Sequence, residues 1–252
     1  ADVTHIIHGA AATPSVEQER ENTTGVVDVN LGGAVNALNA AVTAPSVERF
    51  LFLSSSGVYG LTGQSGQGEL AEESPLALDN LYAITKRSVE LLTARYAVLH
   101  GKPMASVRLG PIYGPMERPS ASRDRLSAPA QLLAALQAGR AITVAGAEVT
   151  RDWTYAGDVG EALWALLTAS TWRHPVYNMS YGRSVTLRRL VDACVGHGLT
   201  ATWSDSPDRA DVVMQPQQTR TPMANRRLFE DTGYRPSTNP EDGIAHSIGT
   251  VE

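Results

Sequence analysis

The chain has 252 residues, 42% of them hydrophobic, enough for one large domain, or a domain with an appended lobe, around a sizeable core. It carries 21 basic and 26 acidic residues, a net charge of −5, which gives no reason to expect a nucleic-acid partner. No apolar run approaches the ~20 residues of a membrane span, and the lone Cys194 excludes an internal disulfide and suits a reducing cytoplasm.

In chain order, "THIIH" (4–8) reads as a short buried strand, and its histidines, three apart, face opposite ways. With the other histidines scattered, no metal site is expected. "TTGVVDVNLGGAVNALNAAV" (23–42) reads as a helix despite Gly32 and Gly33, each costing ~1 kcal/mol against alanine. Those glycines mean either close approach of a backbone or cofactor, or a locally weak helix. "RFLFLSS" (49–55) is a second strand, followed by a glycine-rich loop and a helix from about Leu81 to His100. "MASVRLG" (104–110) is a third strand, and the alternation predicts a parallel sheet covered by helices on both faces. Beyond Pro111 a loop rich in Pro, Ser and Arg (115–129) leads to a helix over 130–138, then short strands and helices.

Only two of the 21 cations are lysines, and one of them, Lys86, stands four residues after Tyr82 on the 81–100 helix. Residues four apart share a helix face, so the two side chains can converge. A free tyrosine, with a pKa of ~10, is a poor base at neutral pH, and a nearby ammonium favours its phenolate. The same spacing also suits an exposed pair on a solvated helix. "FLFLSSSGVYG" (50–60) ends a buried strand in three serines, placing hydroxyls at the carboxyl edge of the sheet, where open α/β folds bind ligands. Alternatively, the serines form a polar turn. Gly-x-Ser-x-Gly is absent and no histidine follows at a telling place, which disfavours a serine hydrolase.

"SSSGVYG", "EESPLALDNLYAITKRSVE", "VRLGPIYGP" and "RDWTYAGDV", in that order, resemble the extended short-chain dehydrogenase/reductases, the NAD-dependent epimerase/dehydratase group. The resemblance runs from about Asp2 to Pro236. It implies a Rossmann-like doubly wound parallel sheet with a smaller C-terminal α/β substrate-binding lobe. Residues 1–111, with 151–180 returning to them, would form the dinucleotide domain; 112–150 and 181–252 would form the lobe. It also implies hydride transfer at a secondary alcohol of a sugar or nucleotide sugar, with NAD or NADP as cofactor. Tyr82 is then the general acid/base, Lys86 its pKa-lowering, ribose-binding partner, and Ser55 the catalytic hydroxyl. Gly9, Ala10, Asn30, Ser54, Leu109 and Pro111 fall where family members approach the cofactor. Ser56 and Arg118 are candidate substrate contacts, and Arg151 matches an arginine that grips the substrate diphosphate, unless it makes a surface ion pair. Asp158 reads as a helix N-cap. Family members often form homodimers through the helices expected here at 23–42 and 81–99, with Val89, Leu92, Tyr96 and Leu99 available as a second face.

Several departures shape the expectation. Ser56 and Gly57 stand where dehydratase members carry Asp-Glu, so a dehydratase is not expected. Pro111 replaces a common asparagine, and the arginine of "DRADVV" (208–213) is off the usual spacing. A smaller sugar or hydroxy acid therefore stays open as substrate, with Arg118, Arg123 and Arg125 available for an anion or simply solvated. A non-catalytic dinucleotide-sensing or scaffold protein is a further alternative, disfavoured by the joint presence of Ser55, Tyr82 and Lys86. "GLTGQSG" (60–66) has glycine spacing without a helix opening behind it, and is rejected as the phosphate loop. The resemblance begins at what would be the family's fourth strand, so the glycine-rich βαβ part is expected upstream of Ala1.

Overall fold

The computed structural model describes residues 3–64, 68–119 and 126–249. Arg123, Arg125 and the end of "GLTGQSG" lie outside them. The chain opens with strand β1 (His5–His8) and two short helices, α1 (Val16–Glu21) and α2 (Thr23–Val27). A capping box between Ser15 and Gln18 starts α1, which the sequence reading did not anticipate. The helix expected over 23–42 is present, with one irregularity: α2 runs without leaving helical backbone angles through a π-turn at Asp28–Gly32 into α3 (Gly33–Thr43). A Cβ at Gly32 or Gly33 would meet nothing within 4 Å, so close approach of another part of the backbone does not explain these glycines.

Strand β2 (Arg49–Ser55) passes through short 3₁₀ turns at 56–64 and a loop to α4 (Leu81–His100). Asn80 caps α4 by accepting from the Ala83 N–H, and Gly101, left-handed at φ 59°, ends it. In the turn, Gly60 has φ 47°, and a Cβ there would sit 1.9 Å from the Ala77 carbonyl, so the loop packs this closely only with glycine. Strand β3 (Met104–Leu109) follows, buried along its whole length, then the short β4 (Ile112–Tyr113). Next come α5 (Ala128–Gln137), β5 (Ile142–Ala145), β6 (Thr150–Arg151), β7 (Thr154–Tyr155) and α6 (Ala156–Thr168). The remainder is β8 (Val176–Met179), β9 (Val185–Thr186), α7 (Leu187–Gly196), β10 (Ala201–Trp203), β11 (Val212–Val213), α8 (Arg226–Thr232) and α9 (Pro240–Gly249).

The main sheet has the order β1-β2-β3-β8, all parallel. Alternation along β2 sends Phe50 and Phe52 to one face, into a core with Leu38 of α3 and Val89 of α4. It sends Leu51 to the other, into a core with Leu163 and Leu166 of α6 and Leu228 of α8. Helices cover both faces, a doubly wound arrangement. A second parallel sheet, β10-β5-β11, packs Ile142 and Val144 against Leu132 of α5, Leu187 and Leu190 of α7 and Ile244 of α9.

Two expectations are corrected here. Val89 is fully buried in its own core, and Leu92 and Tyr96 pack against that core, so they are not a face for a partner. Asp158 lies inside the first turn of α6, whose N-cap is Tyr155; its carboxylate accepts from the Thr238 N–H (3.1 Å) and hydroxyl (2.7 Å).

Candidate active site

The carboxyl ends of three adjacent parallel strands form one rim. The segment 9–12 leaves β1, Ser54 and Ser55 end β2, and Leu109 to Pro111 leave β3. Above the middle strand, α4 presents Tyr82 and Lys86. Gly57 shows how close the parts are: a Cβ built on it would lie 3.3 Å from Ser55 Oγ and 3.6 Å from two ring carbons of Tyr82. The serine hydroxyl and the tyrosine ring therefore flank the same small gap. The Gly57 N–H donates to Ser55 Oγ (3.0 Å), which orients that oxygen and leaves its own hydrogen to donate.

Lys86 is buried, 3% exposed, on the same side of the helix. Its Nζ donates to the Leu53 carbonyl (2.6 Å) and lies over the rings of Phe52 (4.7 Å) and Tyr82 (5.6 Å). Burial pushes its pKa down to about 8, against the opposing pull of the Glu90 carboxylate. The ammonium exists below that value and is lost above it. Turnover that depends on the cation is therefore expected to fall as pH rises through about 8. A kcat profile flat to pH ~10, the range of an ordinary lysine, would contradict this role.

Asn30, in the π-turn, clamps the rim. Its Oδ1 accepts from the Ala12 N–H (2.7 Å), and its Nδ2 donates to the Ala12 carbonyl and Thr85 Oγ1 (3.0 Å each). Asn30 thus ties the segment carrying Gly9 and Ala10 to α4 and supports the site from behind. Ser54 is not brought to the open side. It is 3% exposed and donates to Glu90 Oε1 (2.6 Å) inside the core, so its side chain is unavailable to a cofactor. Ser56 is half-buried next to Ser55, where the 3₁₀ turn begins.

Arg151 lies on β6, its Nε donating to the Gln218 carbonyl (2.9 Å) and its guanidinium 5.4 Å from the Trp153 ring centre. No carboxylate pairs with it among the described residues. Burial, helped by the charge of Arg220, pushes its pKa down to about 10. Arg220 was missed in the sequence. Its Nη1 donates to the Gln217 (3.0 Å) and Thr219 (2.9 Å) carbonyls, so two guanidinia meet on the turn at 216–219. Arg118 is exposed and contacts none of these groups among the described residues.

Also missed was a buried charge cluster beneath the site. Arg108 of β3 makes a bidentate pair with Glu90 of α4, Nε to Oε1 and Nη2 to Oε2, both 2.9 Å. A signal existed: a charge in the middle of the apolar strand "MASVRLG", and a carboxylate four residues after Lys86.

The parallel sheet, covered by helices on both faces with its rim at the carboxyl ends of the strands, is a doubly wound fold of the kind that binds dinucleotides. Residues 1–180 match the NAD dependent epimerase/dehydratase family, and the chain belongs to that family. A probable UDP-glucuronate 4-epimerase of Rhizobium meliloti is 30% identical over 266 residues, 96% of this chain and 73% of the relative. The UDP-glucose 4-epimerase of Thermus thermophilus, solved with NAD, is 26% identical with a TM-score of 0.76, over 98% of this chain and 76% of that one. The dTDP-glucose 4,6-dehydratase of Bacillus anthracis, also solved with NAD, shares the fold at 20% identity and a TM-score of 0.75, over 98% and 72%.

The residues present fit the nicotinamide–ribose end of the family's cofactor. Lys86 spends one of three donors on Leu53, leaving two for ribose hydroxyls. Gly9, exposed beside β2, keeps the rim low: a Cβ there would press to 3.1 Å on Leu53 Cδ1. The segment 109–111 forms the opposite wall.

Proposed function

We propose that this protein is an NAD-dependent nucleotide-sugar epimerase acting at a secondary alcohol of the sugar. The observation that carries the reading is the convergence of Ser55 and Tyr82 on the gap at Gly57, with the buried Lys86 beside the tyrosine ring. Bound NAD would supply the hydride chemistry. Tyr82 takes the proton from the substrate hydroxyl and later returns it, and Ser55 donates to the oxygen that loses it. The Lys86 cation favours the tyrosine's charged form. Ser56 and Gly57, in place of an acidic pair, supply no second acid/base for water elimination, so dehydration is not the reaction proposed.

Residues 1–111 with 151–180 would seat the dinucleotide, and 112–150 with 181–252 the nucleotide sugar. Arg151 and Arg220 would grip its diphosphate; both are desolvated, and the Asp152 and Asp79 carboxylates that act on them oppose that burial only in part. Arg151→Ala is expected to raise KM roughly tenfold to a hundredfold with little change in kcat, the worth of a charge-assisted contact. Equal KM values for wild type and variant, across UDP-sugars, would reassign Arg151 to structure.

A second reading is a dehydrogenase of a smaller sugar or hydroxy acid. It is favoured by Pro111, which offers no polar side chain and whose carbonyl is spent on the Thr154 N–H (2.8 Å). Net release of NADH with a small alcohol, and none with a UDP-sugar, would select it.

The family's pairing mode suggests a homodimer. Exposed Ile84, Leu91 and Val98 recur every seven residues along the outer face of α4, a stripe suited to a second copy. No helix among the described residues is long and apolar enough to cross a membrane. The lone Cys194, buried with its thiol pushed up to about 12 by that burial, suits a reducing cytoplasm.

A further inference from the structure

We propose that Glu90 is a positioning residue of this site: its carboxylate ties down the strand end carrying Leu53 and Ser55 and supplies the counter-charge to Lys86. The inference rests on the reading of Tyr82 and Lys86 given above. Glu90 follows Lys86 by one turn of α4, so both project toward the same part of the sheet. Glu90 is 1% exposed, and a carboxylate so placed is costly unless well paired. It accepts four hydrogen bonds: two from Arg108, one from Arg87 Nη1 (2.9 Å) and one from Ser54 Oγ (2.6 Å).

Arg108 and Arg87 already give the carboxylate three of its hydrogen bonds, and the Ser54 bond adds a tie to the strand. Ser54 sits between Leu53, whose carbonyl accepts from Lys86 Nζ at 2.6 Å, and Ser55, whose hydroxyl faces the gap. Two side chains of one helix thus hold successive residues of the strand, and the catalytic hydroxyl is the next atom group along. Arg108 extends the brace. It pairs with Ser54 across the sheet, and its Nη1 donates to the Tyr59 hydroxyl (2.9 Å) and the Glu72 carbonyl (3.0 Å). Tyr59 OH in turn donates to Asn178 Oδ1 (2.8 Å) on β8. The turn after Ser55 is thereby held at its start and at Tyr59.

The groups around Lys86 are few. Tyr82, Glu90 and the Arg87 paired with it lie on its own helix, His8 comes from β1, Arg108 from β3, and the neutral Asn30–Thr85 contact from the π-turn side. Asp28, on the same π-turn, is exposed. Burial and the Lys86 charge hold the His8 imidazole below its ordinary range, so it adds no second cation at neutral pH. Glu90 is the anion that acts on the ammonium.

Two lysines in the chain make the test direct. Protein labelled with ¹³C at lysine Cε is titrated by NMR without substrate or cofactor, and the signals are assigned with Lys102→Arg. Glu90→Gln, which keeps the shape but exchanges one accepting oxygen for an amide NH2, is expected to lower the Lys86 midpoint by about a unit, as loss of a nearby opposite charge does. The Lys102 midpoint should stay in place. An unmoved Lys86 midpoint would overturn the electrostatic part. Ser54→Ala, which retains the carboxylate and removes one bond, serves where Glu90→Gln does not fold. It is expected to lower kcat severalfold at unchanged KM and unchanged Lys86 midpoint; unchanged kcat would overturn the positioning part. A Lys86 shift in a protein inert toward every UDP-sugar would keep the counter-charge and sink the epimerase reading, so the two failures are distinguishable.

Discussion

Tyr82→Phe is expected to lower kcat by ~10²–10⁴-fold while leaving NAD affinity nearly unchanged, because the lost hydroxyl moves a proton and adds little to binding. The ring packs beside Gly57 and is half-buried, and phenylalanine fills the same space, so folding should be preserved. The Lys86 amine would still donate to the Leu53 carbonyl, which separates loss of chemistry from loss of architecture. Steady-state kinetics and cofactor titration of the same variant make the comparison. Wild-type kcat would remove Tyr82 from the acid/base role.

The largest stability effect is expected from Arg108→Ala. The guanidinium is 2% exposed and serves three partners: Glu90, the Tyr59 hydroxyl and the Glu72 carbonyl. Removing one member of a buried ion pair costs ~3–5 kcal/mol, and here, among the described residues, only the half-buried Arg87 would remain as a cation paired with Glu90. At this chain length each kcal/mol shifts Tm by roughly 2–4 °C, so a drop of ~6–20 °C is expected in calorimetry. Burial raises the Glu90 pKa, and Arg108 is foremost among the groups that bring it below the ordinary range, so the variant's Glu90 pKa should rise, with Ser54 and Arg87 still opposing that rise. A Tm within ~2 °C of wild type, the scale of an ordinary surface change, would show that the brace is dispensable.

Much of this was legible in the sequence because periodicity and strand chemistry were strong. The span 49–55 for β2 agrees with the structure to the residue, and the helix expected from about Leu81 to His100 is α4, since a buried run and a capped helix leave little choice. The π-turn was not legible. Its extra residue preserves the helical pattern on both sides, and its purpose, aiming Asn30 at Ala12, depends on a contact 18 positions away. Ser54 shows the limit of motif reading. Three consecutive serines look equivalent in a string, yet strand alternation turns the middle of the pair Leu53–Ser55 into the core, where only the fold reveals Glu90. Arg220 was invisible for a similar reason: its partnership with Arg151 is created by a turn that brings residues 216–219 against β6.

The central claim is that the Ser55–Tyr82–Lys86 group interconverts epimeric nucleotide sugars with NAD retained. The most direct measurement incubates the protein and NAD with UDP-glucuronate or UDP-glucose, following the sugar by ¹H NMR and absorbance at 340 nm together. The account predicts growth of the 4-epimer's anomeric signal, no accumulating NADH, and loss of both signal growth and turnover in Tyr82→Phe. Stoichiometric NADH release without an epimer, or epimer formation undiminished in Tyr82→Phe, would contradict it.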